Sequence, residues 1–230
     1  MIKVIVFDGE GTLFSSLPKN KKIQNILKEK GYRRRLAEID RAFLKAKRIA
    51  NLLKSKGLTK LDSAGYLLEN EIRLILLDFD DHEVAMLARI VNSQWTDAGN
   101  RTPYPETRIV LESLKRRKYK LGLLTAGAAI SYRKTLRKLG LETYFSFVLG
   151  EDTVNAPKPD LRAYKRVIDE ASCKPNEILF VGDNPTNDYS GPIASGMKAV
   201  LVDRANEHRD VPSRILNLAP LAMPKFFKNL

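Results

Sequence analysis

The sequence has one cysteine, two histidines and no apolar run that approaches the length of a membrane-spanning helix, which needs about twenty residues. The single thiol, Cys173, cannot form an internal disulfide or supply a cysteine metal cage, which points to a reducing compartment. The apolar stretch at the start is too short for a secretion signal, and an aspartate follows it at once. We therefore expect a cytoplasmic protein that does not span a membrane.

Acidic residues are also scarce, with 27 Asp and Glu against 40 Lys and Arg, for a formal net charge of +13. The excess is local, because residues 19–60 hold 15 basic and 3 acidic residues and the rest of the chain is nearly balanced. A basic surface favours anionic partners such as nucleic acid, anionic lipid or phosphorylated substrates. A solvated helix face explains such a block equally well, so composition leaves both interpretations open.

The apolar pattern changes type along the chain. Residues 2–7 form a nearly continuous apolar run, which is typical of a buried parallel strand. From about residue 20 to residue 95 the apolar positions recur three or four apart, which predicts helices only, the last of them over 81–95. We expect Gly57 to end an earlier helix and either Thr59 or Asp62 to cap the next one. Two prolines within residues 102–106 then indicate a linker.

After this linker, strands and helices alternate. The predicted strands are 120–124, 145–149, 177–181 and 198–202, and the predicted helices are 106–118, 129–139, 161–171 and 187–195. This order predicts an α/β fold, a three-layer Rossmann-like core around a central parallel sheet, with ligands bound at the carboxyl ends of the strands. We expect residues 1–15 and 101–230 to form this core and residues 16–100 to form an inserted, all-α cap domain.

Four polar segments follow predicted strands and should converge at that edge of the sheet. They are Asp8-Gly9-Glu10-Gly11-Thr12, Thr125-Ala126-Gly127, Pro157-Lys158-Pro159-Asp160 and the segment from Gly182 to Asp188. In this order they resemble the motifs of the haloacid dehalogenase-like superfamily of hydrolases, most of which are phosphatases. The resemblance covers the whole predicted core. The insertion is similar to the α-helical cap of the branch that contains phosphoglycolate phosphatases and haloacid dehalogenases.

The strand-end carboxylates predict a particular chemistry. Asp8 can attack phosphorus to give an aspartyl-phosphate intermediate, which divides one difficult hydrolysis into two easier steps. Two anions repel each other, so we expect Mg²⁺ between them, held by Asp8, the Glu10 carbonyl and Asp183. Asp188, near a helix start, would support the metal site or orient Lys158; a plain helix cap is the alternative role.

A bound phosphate also needs hydrogen-bond donors. We expect the Thr125 hydroxyl and the backbone amides of Gly9, Glu10 and Ala126 to provide them, and Lys158 to add a fixed positive charge. The resemblance implies that Glu10 protonates the leaving alcohol and then activates water. Most phosphatases of the superfamily carry Asp at this position, although the enolase-phosphatase branch also has Asp-x-Glu-Gly-Thr. The expected partner is a small anionic phosphorylated substrate.

Two other functions remain open. A 2-haloacid dehalogenase would use the same Asp8 on carbon, but those enzymes need no metal and lack the acidic pair represented here by Asp183 and Asp188. A nucleic-acid-binding module would use the basic residues 19–60, yet no basic surface interleaved with aromatic residues is visible, so we do not expect nucleic acid as a partner. We expect the basic block to increase capture of anionic substrates instead. The sequence leaves the oligomeric state open.

Overall fold

The computed structural model describes residues 1–55, 71–76, 80–95 and 101–228. The chain divides into two compact units, Met1–Ser16 with Arg101–Leu230, and Leu17–Asn100. Ser16 belongs to the first unit because the strand that it ends pairs with the strand that starts at Arg101. The expected helix boundary at Gly57, Thr59 and Asp62 lies outside the described residues. Within the described chain, no helix is both long and apolar enough to cross a bilayer.

The first unit is built on a six-stranded sheet in which every neighbouring pair of strands is parallel. Its strands are β1 (Val4–Phe7), β4 (Lys120–Leu124), β5 (Phe147–Leu149), β6 (Ile178–Gly182), β7 (Lys198–Val202) and β8 (Arg214–Ile215), and a separate antiparallel pair consists of β2 (Phe14–Ser16) and β3 (Arg101–Pro103). The order β5-β4-β1-β6-β7-β8 places β1 between β4 and β6. This sheet confirms the predicted α/β fold.

The described part of the first unit also contains five α-helices. They are α4 (Thr107–Arg116), α5 (Ala129–Lys138), α6 (Glu151–Val154), α7 (Leu161–Ala171) and α8 (Gly191–Ala194), after α1 (Lys19–Glu29), α2 (Leu36–Ser55) and α3 (Asp81–Trp95) of the second unit. The bounds predicted for β4, β7, α3 and α7 are confirmed. The helix predicted over 187–195 is wrong in type. A π-helical turn, Pro185–Ser190, comes first, because the Asn184 side chain caps the chain there, and α8 follows.

The side chains of β1 alternate between the two faces of the sheet, and both faces are covered by other apolar residues. Ile5 and Phe7 belong to an apolar cluster that includes residues of α4 and α5, whereas Val4 and Val6 belong to a second cluster that includes residues of α7. Successive side chains of a strand point to opposite faces, so a strand with two buried faces is apolar throughout. The fully buried β1 therefore lies at the centre of the unit.

The second unit has its own core. In its described part the regular elements are helical: α1, α2, α3 and residues 71–75. Ile23 and Leu27 of α1, Ile39 of α2 and Leu87 of α3 share one buried apolar cluster. Within α1, Ile23 and Leu27 are four positions apart, which is the spacing of residues on one apolar helix face.

Candidate active site

Three polar positions lie directly after the carboxyl ends of neighbouring strands. Asp8 follows β1, Thr125 follows β4, and Asp183 follows β6. Because β1 pairs with both β4 and β6 in parallel, all three strands end at the same edge of the sheet. Ligands of open parallel α/β sheets bind at such an edge. Asp8, Thr125 and Asp183, which were predicted from the sequence, therefore lie at the same edge of the sheet, around the end of the central strand β1.

Lys158 lies between two of the carboxylates. Its ammonium nitrogen is 2.6 Å from Asp8 Oδ1 and 2.6 Å from Asp188 Oδ1, and all three side chains are nearly inaccessible to solvent. Asp188 Oδ2 also accepts a hydrogen bond of 3.0 Å from the backbone N–H of Asn184. The capping group of this turn is the Asn184 side chain, and the Asp188 carboxylate lies between the Lys158 ammonium group and the Asn184 N–H.

Asp183 completes the acidic group and is the most open of the three carboxylates. One ligand atom from each of Asp8, Asp183 and Asp188 can be chosen so that all lie within 4.8 Å of one another. Thr12 donates a hydrogen bond of 3.5 Å to Asp183 Oδ1. Gly11 lies against the same carboxylate at a φ of +77°, a conformation that glycine adopts at little cost.

Burial and neighbouring carboxylates raise the pKa values of two aspartates in this cluster. Burial, together with the carboxylate of Asp188, raises the pKa of Asp8 to about 7 even though Lys158 opposes the shift. Burial and Asp188 likewise raise the pKa of Asp183. Burial disfavours the charged form of Lys158, but Asp8 and Asp188 outweigh it and raise its pKa. Three carboxylates face one ammonium group, so an additional cation with oxygen ligands, such as Mg²⁺, fits this site.

The expected phosphate-binding segments are held in place by Tyr132. The Thr125 side chain is buried, and its hydroxyl oxygen accepts a hydrogen bond of 3.3 Å from the Gly127 backbone N–H. The Tyr132 ring lies so close to Gly9 and Gly127 that a Cβ atom at either position would overlap it. Burial, with a contribution from the Glu10 carboxylate, raises the pKa of Tyr132 to about 12, so the phenol stays neutral. Glycine is therefore required at both positions by packing against this ring.

Glu10 is separated from the acidic cluster by its partners. Its Oε1 atom accepts hydrogen bonds from Arg101 Nε at 2.8 Å and from Arg101 NH2 at 2.7 Å. Its Oε2 atom accepts a hydrogen bond of 3.2 Å from the Ser16 hydroxyl. The group of potential metal ligands accordingly contains the three aspartates but not the Glu10 carboxylate.

Sequence reasoning missed several residues that shape the site. Arg101 contacts Glu10, and Tyr132 contacts Gly9 and Gly127. Arg204 donates hydrogen bonds to the carbonyl oxygens of Gly11 and Thr12 at 3.0 and 2.8 Å. Arg204 also lies over the Tyr104 ring, with 3.4 Å between its guanidinium carbon and the ring centroid. None of these residues belongs to a recognisable motif. Their contacts depend on segments that are far apart in the sequence.

The helical unit carries a basic groove of its own, with a volume of about 470 Å³. Its lining consists of Arg33, Arg34, Glu38, Arg41, Ala42, Lys45, Leu74 and Ile75. The Glu38 carboxylate pairs with Arg35, which lies outside the groove, at 2.7 Å. Arg34 donates a hydrogen bond of 3.1 Å to the carbonyl of Ile75. Part of the excess charge of residues 19–60 is therefore gathered at one surface.

Curated proteins with similar sequences include phosphatases and a dehalogenase. The chain is 37% identical over 107 residues to a phosphoserine phosphatase of Thermus thermophilus, covering 46% of this chain and 43% of that protein. It is 32% identical over 106 residues to (S)-2-haloacid dehalogenase 2 of a Pseudomonas species, covering 46% of each. In both comparisons the chain spans just under half of the relative's length. A phosphoglycolate phosphatase of Rhodospirillum rubrum is 27% identical over 221 residues, covering 93% of this chain and 84% of that one.

The fold has relatives among solved structures. A phosphatase of Thermococcus onnurineus superimposes with a TM-score of 0.61 and 25% identity, covering 96% of each chain. A family model described as haloacid dehalogenase-like hydrolase matches residues 5–202, which include all four polar segments singled out in the sequence, although Pro157–Asp160 follows the helix α6 and not a strand. The resemblance inferred from the motifs is thereby confirmed, and the chain belongs to the haloacid dehalogenase-like hydrolase family.

Proposed function

We propose that this chain is a magnesium-dependent phosphatase that hydrolyses a small phosphomonoester through an aspartyl-phosphate intermediate. The observation that carries the proposal is the group of Asp8, Asp183 and Asp188, three carboxylates that face the single ammonium group of Lys158. A divalent cation would balance this charge and then accommodate a phosphate. The phosphatases among the relatives support the same class of reaction.

Asp8 is the proposed nucleophile. Lys158 holds Oδ1, and Oδ2 accepts no hydrogen bond from the described residues, so Oδ2 is free to attack phosphorus. A bond forms between Oδ2 and phosphorus while the bond from phosphorus to the ester oxygen breaks. Water then attacks phosphorus, and the Oδ2–phosphorus bond breaks to release phosphate and restore the carboxylate. Magnesium, held by Asp8, Asp183 and the Glu10 carbonyl with the support of Asp188, would reduce the repulsion between the carboxylate and the phosphate.

The remaining residues bind phosphate and move protons. The Thr125 hydroxyl accepts from the Gly127 N–H and also contacts the Tyr132 hydroxyl, and its proton would turn to a phosphate oxygen when substrate binds. The backbone amides of Gly9, Glu10 and Ala126 supply further donors, and Lys158 supplies positive charge. Glu10 gives a proton to the departing ester oxygen in the first step and takes one from the attacking water in the second.

Dehalogenation is the second candidate, favoured by the 32% identity to the Pseudomonas enzyme. In that reaction Asp8 would attack carbon and displace a halide, with Lys158 already in place. Asp183 argues against it, because a third carboxylate beside Asp8 hinders attack by an anion unless a cation is bound. Phosphomonoester hydrolysis makes use of that residue.

A direct test is to assay the purified chain with sugar phosphates, nucleotides, phosphoserine, phosphoglycolate and 2-haloacids, with Mg²⁺ and with EDTA. We expect phosphate release from some phosphomonoesters only with Mg²⁺, and no release by Asp8→Asn. Asp169→Asn makes the same change at an exposed position of α7 and should behave as wild type. Metal-independent halide release would establish dehalogenation instead. An active Asp8→Asn enzyme would exclude Asp8 as the nucleophile.

A further inference from the structure

Arg101 lies beside the proposed acid and base because two short strands pair. In the antiparallel pair of β2 and β3, Ser16 is opposite Arg101. Both side chains reach Glu10, where Ser16 donates to Oε2 and two nitrogens of Arg101 donate to Oε1. The two oxygens of this carboxylate therefore have different partners. Oε1 is held by two short charged hydrogen bonds, and Oε2 by one longer neutral hydrogen bond.

Arg101 is itself held firmly. Its side chain is only 6% exposed, whereas that of Glu10 is 37% exposed. Arg101 NH1 donates a hydrogen bond of 2.9 Å to the Thr135 hydroxyl, which donates in turn to the Ser131 carbonyl. The guanidinium carbon lies 4.5 Å from the centroid of the Tyr132 ring, an arrangement that favours a cation. The position of Arg101 is thus determined by the protein and not by Glu10.

A glutamate needs such an anchor more than an aspartate does. Glutamate has one more rotatable bond, so its carboxylate samples more positions unless it is held. Proton transfer requires the carboxyl oxygen within hydrogen-bond reach of the reacting oxygen, and a displacement of about 1 Å can lower a rate about 100-fold. An anchor on Oε1 removes this freedom and leaves Oε2, with its weaker partner, to exchange the proton.

We propose that Arg101 is the positioning residue for Glu10: it fixes Oε1 so that Oε2 transfers the proton in both steps. This inference rests on the proposed phosphatase function and adds a residue to it. In this role Arg101 acts through Glu10, to which two of its nitrogens donate.

The test is a double-mutant cycle of Arg101→Gln and Glu10→Gln, with an aryl phosphomonoester that the wild type hydrolyses and whose leaving group needs little protonation. We expect Arg101→Gln to lower kcat about 10- to 100-fold and to lower KM with it, so that kcat/KM changes little, because hydrolysis of the intermediate is slowed and substrate binding is not affected. The double variant should be no slower than Glu10→Gln alone, since Arg101 acts through Glu10. Arg101→Lys, which keeps the charge but loses the fork of donors, should recover part of the rate.

The amount of covalent intermediate distinguishes a positioning role of Arg101 from a purely structural one. If Glu10 is misplaced, water attacks the aspartyl-phosphate slowly, so intact mass measurement during turnover should show more phosphorylated protein in Arg101→Gln than in wild type. Loss of folded protein would lower that fraction instead. Arg166→Gln is the matched control, because it breaks a 2.6 Å ion pair with Glu170, whose carbonyl accepts from Lys120 at the start of β4, the opposite edge of the sheet, and it should not raise the fraction.

Thr135→Val provides a second variant if Arg101→Gln does not fold. It removes the acceptor of Arg101 NH1 with little change in volume, and it should give a smaller rate loss with the same rise in phosphorylated protein. The role of Arg101 would be overturned if the rate losses of Arg101→Gln and Glu10→Gln multiplied in the double variant. It would also be overturned if phosphorylated protein rose in neither Arg101→Gln nor Thr135→Val. The phosphatase function would stand in both cases. A wild type that neither releases phosphate nor becomes phosphorylated would overturn both.

Discussion

Gly11 faces the Asp183 carboxylate, and we predict that replacing it with alanine disrupts metal binding. A Cβ atom at Gly11 would lie 2.8 Å from Asp183 Oδ1 and closer still to Oδ2. An ordinary contact requires about 3.5 Å, so the carboxylate would have to move by about 1 Å. Metal ligands must stay within about 0.2 Å of their ideal distances, and Mg²⁺ is strict about geometry. We therefore expect at least about a tenfold loss of Mg²⁺ affinity and about a 100-fold loss of kcat/KM.

Gly31→Ala is the matched control for this change. Gly31 has a φ of +89° and Gly11 a φ of +77°, but a Cβ atom at Gly31 would have no neighbour within 4 Å. Each alanine should cost about 1–2 kcal/mol of stability from its left-handed backbone alone. Only Gly11→Ala should also lose metal affinity, measured by calorimetric titration with Mg²⁺, and activity. Wild-type Mg²⁺ affinity in Gly11→Ala, or an equal loss in Gly31→Ala, would refute the reasoning.

Three further predictions concern the acidic cluster and the basic groove. Asp183→Asn should weaken Mg²⁺ binding in calorimetry more than Asp188→Asn, because Asp183 is the more open carboxylate whereas Asp188 is bound to Lys158; equal affinities would contradict this. Lys158→Met should lower metal-free stability in urea by about 3–5 kcal/mol, since it leaves two buried carboxylates without a counter-charge, and added Mg²⁺ should restore part of the loss. An unchanged urea midpoint would show that the ion pairs contribute little. Neutralising Arg33 and Arg41 in the basic groove should lower kcat/KM at low salt and leave kcat unchanged. The difference in kcat/KM from wild type should vanish at high salt. An unchanged kcat/KM at low salt would assign these side chains to a solvated face.

The strand-end residues could be predicted from the sequence because their arrangement depends on local pattern and on one general rule. An apolar run such as Val4–Phe7 predicts a buried strand, and the carboxyl ends of neighbouring parallel strands meet at one edge. Asp8, Thr125 and Asp183 could therefore be assigned to a common site before their distances were known. Helix α3 was similarly predictable, since its apolar spacing lies within the segment itself.

Only the tertiary structure decided what surrounds those residues. Glu10 and Arg101 are 91 positions apart, and they meet because β2 and β3 pair, although each strand is only three residues long and has no pattern of its own. The glycines at positions 9 and 127 read as turn residues in the sequence, yet both are needed because one tyrosine ring packs against them. A sequence pattern records the regular packing of strands and helices, whereas contacts between irregular segments depend on the position of every element between them. Motif residues could accordingly be named from the sequence, but the side chains that hold them could not.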